Sequence, residues 1–276
     1  MNLWQWLECA AAQLPEKESA LLEARLFAER VLNIAPVRQR YRNPELTVPQ
    51  IAQLNALLLR RARGEPFAYI LGNQPFYHLD LKVSPAVLIP RPETEQLVDA
   101  ALAKIPPQDC YRVIDLGTGS GAIALAIAAE RPHCRVLAVD KSWDALRVAQ
   151  ENARHLQLAN VHFVLSDWLT AIADARADMI VSNPPYIDAH DEHLAALAYE
   201  PQMALVSPEH GYADLLHLIA HAGRCLRPNG WLLLEHGNQQ AQKLRAFAAE
   251  QSGWQHIHSL RDYAGWERIT CMQCSM

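Results

Sequence analysis

Long apolar runs are missing from this 276-residue sequence, and none approaches the roughly 20 residues that a membrane-spanning helix needs. Its start, MNLWQWLECAAAQLPEKE, lacks the basic region of a secretory signal, so we expect no secretion. Cysteine is sparse, and its six copies are scattered along the chain. Because they do not resemble a disulfide framework, we expect reduced thiols and a cytoplasmic location.

Clustered metal ligands are equally scarce. Cys271 and Cys274 form a C-x-x-C pair, but structural zinc requires four ligands, so we favour a chance spacing. His217 and His221 stand four residues apart without the glutamate of a metalloprotease motif between them. We therefore predict no metal site.

A strong excess of charge of one sign is also lacking. The net charge is −5, with +2 over residues 1–90 and −7 over residues 91–276. Half of the residues are hydrophobic and a fifth are charged, as in an ordinary globular protein. This balance gives no electrostatic sign of a membrane or of stable nucleic-acid binding.

The first part of the chain has helical periodicity. Residues 19–32 carry an apolar helical stripe, and Thr47 is a good N-cap for a second helix that stops at Gly64. Residues 76–84 alternate between apolar and polar, which predicts a half-buried strand in a linking hairpin. The proline-punctuated stretch LIPRPETE, residues 88–95, marks the seam with the next domain.

Strand-like and helical patterns alternate after that seam. This order predicts a mostly parallel sheet covered by helices on both faces, an α/β fold. The predicted strands are residues 112–116, 135–140, 161–165, 178–182, 231–237, 254–260 and 266–272. The predicted domain boundaries are 1–73 for the helical domain, 74–90 for the hairpin and 91–276 for the α/β domain.

A glycine-rich loop follows the first strand of the α/β domain, in the sequence DLGTGSG. Gly117, Gly119 and Gly121 allow a tight turn and close approach of the backbone to a ligand. Asp140 ends the second strand, nineteen residues after Gly121, where a carboxylate can accept both hydroxyls of a ribose. An NAD enzyme and an S-adenosylmethionine (AdoMet) enzyme both fit these features.

Other motifs favour AdoMet. The glycine spacing is G-x-G-x-G rather than G-x-G-x-x-G, and Asp115 precedes it. Asp167 and Trp168 follow the third strand, where an aspartate can accept the adenine amino group. Trp168 would either cover the adenine ring or serve as a half-buried packing residue. The fourth strand ends in Asn-Pro-Pro-Tyr, residues 183–186. Two prolines make this segment stiff and extended, which suits either a rigid acceptor of a flat NH₂ group or a plain strand stop.

These motifs, in this order, resemble the release factor glutamine methyltransferases (PrmC, also called HemK). The segments that carry the resemblance over nearly the whole chain are RGEPFAYILG, LIPRPETE, VIDLGTGSGAIALAIA, VSNPPYI, YEP, LLLEHG and RDYAG. The resemblance implies a class I AdoMet-dependent methyltransferase: a Rossmann-like, mostly parallel seven-stranded sheet with a small N-terminal helical domain for substrate recognition and a linking β-hairpin. It implies methylation of N5 of the glutamine in the Gly-Gly-Gln motif of class 1 peptide chain release factors.

The resemblance also implies roles for residues of this chain. The catalytic residues are Asn183, Pro184 and Tyr186, and the substrate is bound by these three together with Pro185. The residues implied to bind AdoMet, and the product S-adenosylhomocysteine, are Gly117, Thr118, Gly119, Ser120, Gly121, Asp140, Asp167, Trp168 and Asn183. Because a site that admits a Gly-Gly-Gln loop should be an open cleft, we expect a monomer.

The sequence departs from the family pattern after Tyr186, where residues 188–201 are short and alanine-rich instead of polar with an arginine. Glu200 in this stretch would either orient the substrate backbone or remain a solvated loop carboxylate.

Alternative functions use the same motifs. A nucleic-acid amino-methyltransferase would also use Asn-Pro-Pro-Tyr, on a flipped-out base, with arginine clusters contacting phosphates. These clusters are Arg38, Arg40 and Arg42, and Arg60, Arg61 and Arg63. Arginines at a helix end usually form a solvated surface, and we hypothesise that these meet an acidic protein partner instead of phosphates. A non-enzymatic AdoMet-binding module would not need Asn-Pro-Pro-Tyr, and an NAD oxidoreductase would need a different glycine spacing.

Overall fold

The computed structural model describes residues 1–174 and 177–275. The chain forms two compact units, Met1–Asn73 and Gln74–Met276. The first is helical and the second is built on a large sheet. Among the described residues, no helix combines the length and apolar character required to cross a bilayer.

The first unit contains four α-helices with well-defined starts. They are α1 (Leu3–Gln13), α2 (Ala20–Leu32), α3 (Val48–Ala62) and α4 (Phe67–Leu71). Thr47 caps α3 as the sequence predicts, and Gln50 completes a capping box with it. Phe27 of α2 is fully buried against Phe67 of α4, with ring centroids 5.2 Å apart. Apolar residues of the four helices form the core of this unit.

Arginines of α3 are held inside this unit. The Arg61 Nε donates to Glu23 Oε2 at 2.8 Å, and its Nη2 donates to Glu16 Oε1 at 2.8 Å. Arg61 is only 8% exposed. The Arg60 Nε donates to Glu65 Oε2 at 2.8 Å. The prediction that Arg61 meets phosphates or a protein partner is therefore wrong, because its guanidinium is buried between carboxylates. Arg60 is exposed, so for this residue contact with a partner stays a prediction.

The second unit begins with a hairpin and continues as alternating strands and helices. Its strands are β1 (Asn73–Phe76), β2 (Leu79–Lys82), β3 (Arg112–Leu116), β4 (Arg135–Asp140), β5 (Val161–Leu165), β6 (Ala177–Ser182), β7 (Leu226–Glu235), β8 (Trp254–Arg261) and β9 (Glu267–Cys274). Its helices are α5 (Pro92–Leu102), α6 (Ala122–Glu130), α7 (Trp143–His155), α8 (Pro208–Gly211), α9 (Ala213–His221) and α10 (Ala241–Glu250). Strands β1 and β2 pair only with each other, and the other seven form one sheet.

The large sheet has the order β5-β4-β3-β6-β7-β9-β8. Neighbours from β5 to β7 are parallel, whereas β9 runs antiparallel to both β7 and β8. The prediction of a mostly parallel seven-stranded sheet is confirmed. The order reverses at β3, so the crevice beyond the carboxyl ends of β3 and its neighbours is the expected ligand site.

Two apolar cores cover the two faces of the sheet. Cys271 belongs to one core and Cys274 to the other, because residues three apart on a strand point to opposite faces. All six cysteines are free thiols, and both members of the pair are buried. The C-x-x-C spacing therefore builds neither a ligand pair nor a disulfide. The part of the chain that the structure describes contains no group of three or more residues suited to hold a metal.

Candidate active site

The glycine loop joins β3 to α6 at the switch in strand order. The backbone nitrogens of Gly117 and Thr118 both donate to the Val139 carbonyl oxygen, at 2.9 Å each. Gly119 has a φ of +55°, which a glycine adopts without strain. These contacts tie the loop to the end of β4 and fix its turn.

Asp115 anchors the loop from below. Its carboxylate is fully buried, and its Oδ2 accepts hydrogen bonds from Thr118 Oγ1 at 2.6 Å and from the Ala124 nitrogen at 3.2 Å. Burial raises the pKa of Asp115 to about 7. In the sequence, Asp115 is recognisable only as the residue that precedes the glycine motif. The structure gives it a supporting role that joins the strand, the loop and the following helix.

Asp140 holds the loop from the end of β4. Its Oδ2 accepts from the Gly119 nitrogen at 2.9 Å, and its Oδ1 accepts from the Ser142 nitrogen at 2.8 Å. Burial raises the pKa of this carboxyl. The Lys141 backbone N–H donates to the same carboxyl. An ionised carboxylate offers about four acceptor positions, so one remains for a ligand hydroxyl while Asp140 holds the loop.

A pocket of about 680 Å³, part of it open to solvent, lies over this loop. Six of the residues predicted to bind a cofactor line it: Gly117, Gly119, Asp140, Asp167, Trp168 and Asn183. The Trp168 ring packs so closely on Gly117 that a Cβ there would lie 3.5 Å from it. The Trp168 Nε1 donates to Asp214 Oδ1 at 3.0 Å, which fixes the indole as one wall of the pocket.

Thr118, Ser120 and Gly121 are not among the residues that line this pocket, so their contacts with the cofactor stay predictions. The structure gives each of them a supporting contact. The Thr118 hydroxyl binds Asp115, and the Ser120 carbonyl oxygen accepts from Asn152 Nδ2 at 2.9 Å. Gly121 has a φ of +86°, and a Cβ there would lie 2.9 Å from Leu125 Cδ1. The third glycine thus allows the loop to pack closely against α6.

A second pocket of about 580 Å³ adjoins the first. Asn183 lines both pockets, whereas Pro185 lines the first and Pro184 and Tyr186 line the second. Burial raises the pKa of Tyr186, with a further contribution from the nearby Glu235 carboxyl. The tetrapeptide at the end of β6 therefore forms the boundary between the two pockets, and Asn183 stands at their junction.

Two residues behind Asn183, Thr94 and Glu235, were not predicted from the sequence to belong to the site. The Asn183 Nδ2 donates to Thr94 Oγ1 at 3.1 Å. Glu235, at the end of β7, is 3% exposed, and burial raises its pKa to about 7. Glu235 ends a strand and Thr94 begins a helix, so the available signals were the motifs LLLEHG and PRPETE that contain them. Neither motif says that the two residues meet.

Glu200 also differs from both interpretations of the sequence. It is 7% exposed, its Oε2 accepts from the Ile89 nitrogen at 2.9 Å, and its Oε1 pairs with Arg91. It is neither a solvated carboxylate nor free to orient a substrate backbone. This buried ion pair fastens the loop after Tyr186 to the segment before α5, and Leu88 and Ala204 beside it line both pockets.

The strand order, the glycine loop and the acidic residue at the end of β4 define a class I AdoMet-dependent methyltransferase fold. The family model "Methyltransferase small domain" matches residues 95–200, and the model "PrmC N-terminal domain" matches residues 5–72. A crystal structure of a methyltransferase from Pyrococcus furiosus has a TM-score of 0.55 at 16% identity, covering 72% of this chain and 91% of its own.

Curated relatives carry the identification further. The release factor glutamine methyltransferase of Salmonella typhimurium (strain LT2) is 47% identical over 274 residues, covering 98% of each chain. The protein with the same name from Escherichia coli (strain K12) is 46% identical over 277 residues, again covering 98% of each chain. This chain belongs to the release factor glutamine methyltransferase family, as its motifs indicated.

Proposed function

We propose that this enzyme transfers a methyl group from AdoMet to N5 of the glutamine in the Gly-Gly-Gln motif of class 1 peptide chain release factors, in the cytoplasm. The observation that carries the proposal is the position of Asn183 on the wall shared by the two pockets. A donor in the first pocket and a glutamine side chain in the second would meet at this residue. The family membership of the chain supports the choice of substrate.

The chemistry explains why such a junction needs an Asn-Pro-Pro-Tyr segment. An amide nitrogen is a poor nucleophile because its lone pair is delocalised into the carbonyl group. In the proposed mechanism the Asn183 Oδ1 and the Pro184 carbonyl oxygen accept its two N–H bonds. The nitrogen then keeps electron density and is aimed at the first pocket, while the Tyr186 ring lies against the flat amide.

AdoMet, when bound, supplies an electrophilic methyl group on a sulfonium centre. In the transfer, a nitrogen–carbon bond forms, the carbon–sulfur bond breaks, and the nitrogen loses one proton to solvent. No strong base is required, because the N–H becomes acidic only as the methyl group arrives. Acceptors fixed in advance by two prolines avoid reorganisation, and such preorganised groups contribute roughly 10²–10³ in rate each. Alignment of the two reactants contributes further.

The residues of the first pocket fit the donor. We propose that Asp140 accepts a ribose hydroxyl and that Asp167 accepts the adenine amino group beside the Trp168 indole. Gly117 and Gly119 leave room for the donor to approach the loop backbone. The support is that all five line one pocket and that Asp140 keeps spare acceptor capacity. The product to be released is S-adenosylhomocysteine.

We further propose that residues 1–73 recognise the release factor, that residues 74–90 form the linking hairpin and that residues 91–276 carry the transfer reaction. The match of residues 5–72 to the PrmC N-terminal domain supports the first assignment. The enzyme would work as a monomer without stable contact with nucleic acid. Several arginines of the first unit are exposed, and those of the two predicted clusters are candidates for contact with an acidic protein surface: Arg38, Arg40, Arg42, Arg60 and Arg63.

Methyl transfer from radiolabelled AdoMet tests this proposal. Purified release factor, a variant with the Gly-Gly-Gln glutamine replaced by alanine, total RNA and DNA are offered in parallel. We expect label on the wild-type factor alone. Label on nucleic acid instead would retain the amine chemistry but replace the substrate by an exocyclic base amine. Label on the alanine variant would contradict the assigned atom.

A further inference from the structure

The strands β6 and β7 bring Asn183 beside a buried carboxylate. They are parallel neighbours with Ser182 opposite Leu234, so Asn183 and Glu235 are the next positions along the two chains. Residues in register on parallel strands point to the same face. Glu235 is 3% exposed, whereas Asn183 is partly exposed and lines both pockets. Glu235 therefore lies behind the residue that would contact the substrate.

Thr94 completes a cluster of three polar side chains. It lies in the first turn of α5, is 4% exposed, and its Oγ1 accepts from Asn183 Nδ2 at 3.1 Å. Since that hydroxyl oxygen accepts from Asn183, its own hydrogen remains available for a neighbouring acceptor. Hydrogen bonding by Thr94 and Asn183 favours the ionised form of Glu235. The three side chains thus share a consistent direction of donation, from Asn183 and Thr94 toward Glu235.

The Glu235 carboxylate determines this direction of hydrogen-bond donation. A side-chain amide has an oxygen that accepts and an NH₂ that donates, and a rotation by half a turn exchanges them. A hydroxyl tolerates either arrangement, since it both donates and accepts. An ionised carboxylate only accepts, so it rejects the amide oxygen and selects the NH₂. When the Asn183 Nδ2 points inward to Thr94 and Glu235, its Oδ1 points toward the pockets.

The surroundings of Glu235 do not give it an alternative structural task. Its Oε2 has no hydrogen-bond partner among the described residues. A buried carboxylate with an unpaired oxygen is costly to the fold, and such groups are retained mainly at functional sites. Its charged neighbours are Arg268 of β9, which favours ionisation, and Glu93 of α5, which opposes it. The Tyr186 phenol faces the same carboxyl.

We propose that Glu235 and Thr94 are positioning residues that hold the Asn183 amide with its oxygen toward the acceptor nitrogen. This inference rests on the proposed function, because it assigns Asn183 the role of acceptor. Neither residue needs to touch the substrate. Their effect is to remove the amide orientation that would present an NH₂ group to another NH₂ group and so repel the substrate.

Kinetics of matched variants test the inference. Thr94→Val removes the hydroxyl at nearly constant shape, and Thr94→Ser restores it. Glu235→Gln keeps the shape but can donate as well as accept, so both amide orientations become available. We expect Thr94→Val and Glu235→Gln to lower kcat by about 10- to 100-fold, as small misplacements in active sites do. The AdoMet Kd should change less than about threefold, and Thr94→Ser should recover most of kcat.

Controls separate positioning from folding. Glu250→Gln changes an exposed glutamate on α10 and should retain the wild-type rate. A pH profile adds a readout that a purely structural role would not move. The wild-type kcat should fall as the pH drops through about 7, where Glu235 gains a proton that can be donated to Asn183. Glu235→Gln should lose this acidic limb.

The outcomes are distinct. Wild-type kcat in both Thr94→Val and Glu235→Gln, or equal losses in Thr94→Ser and Thr94→Val, would overturn the positioning role. If the affinity for AdoMet falls as much as kcat in these variants, Thr94 and Glu235 have a structural role and not a positioning role. If the wild-type enzyme labels nucleic acid but no release factor, the proposed substrate fails. The same variants then test Asn183 on that acceptor, since an exocyclic amine needs the same amide orientation.

Discussion

Replacing Asn183 by alanine tests the acceptor chemistry most directly. The substitution removes Oδ1 from the junction of the two pockets and leaves the Pro184 carbonyl as the single remaining acceptor of the pair. Loss of one preorganised polar group of this kind costs about 10²–10³ in kcat, or roughly 2.7–4 kcal/mol of transition-state stabilisation. We expect a loss of kcat in this range for Asn183→Ala.

The effect of the same substitution on stability should be smaller. The folded protein loses the hydrogen bonds that Asn183 donates to Thr94 and to the buried Glu235 carboxyl, which costs about 1–3 kcal/mol. For a unit of this size, about 1 kcal/mol corresponds to a fall in Tm of roughly 2–4 °C. The variant should remain folded at assay temperature, so unfolding cannot account for a hundredfold loss of rate.

Single-turnover methyl transfer at saturating AdoMet, combined with calorimetric titration of AdoMet, gives the required comparison. Asn183 is one of several polar residues in the first pocket, so its loss should weaken AdoMet binding only a few-fold. A kcat within tenfold of wild type would refute the acceptor argument. A loss of AdoMet affinity as large as the loss of rate would assign Asn183 to donor binding instead.

Further predictions concern the loop, the buried carboxylate and the first unit. Asp140→Asn should raise the AdoMet Kd by at least tenfold in calorimetry while kcat at saturation changes less, because the carboxylate serves binding. Gly121→Ala should lower the unfolding free energy by about 1–3 kcal/mol in denaturant titration, because its φ of +86° is strained for alanine. The pKa of Glu235, about 7 against an ordinary 4.5, means that the folded chain keeps a proton that the unfolded chain has lost. Its contribution to stability therefore falls as the pH rises from about 4.5 to 7, by roughly 3 kcal/mol. Glu235→Gln should remove this share of the slope and leave the share of Asp115, whose pKa is also raised to about 7. Arg61→Ala should destabilise the first unit by about 3–5 kcal/mol, because it leaves the buried Glu23 carboxylate unpaired.

Local elements were predictable because their signals are local. The strands over residues 112–116, 135–140 and 161–165 have the predicted bounds. Each is a short apolar segment bounded by glycine, polar or charged residues, so the local pattern suffices. The strand predicted over residues 231–237 instead spans Leu226–Glu235.

The tertiary partners could not be read from the chain. Glu235 and Asn183 are 52 positions apart and become neighbours only through the pairing of β6 with β7. The contacts of Glu200 with Arg91 and the Ile89 nitrogen could not be predicted, because no residue near Glu200 in the sequence indicates them. Register and loop closure depend on the whole fold, and a one-residue slip would turn each of these side chains to another face.

At Asn183, the local motif and a tertiary contact supply different properties of the site. The motif Asn-Pro-Pro-Tyr supplies a stiff backbone and an acceptor, and both can be deduced from residue types. An amide acceptor is nevertheless ambiguous, since its oxygen and nitrogen have nearly the same shape. The proline pair cannot resolve that ambiguity, because it constrains the backbone and not the rotation of the side chain. Only a group that accepts and never donates resolves it, and the fold places Glu235 at the next position of the neighbouring strand.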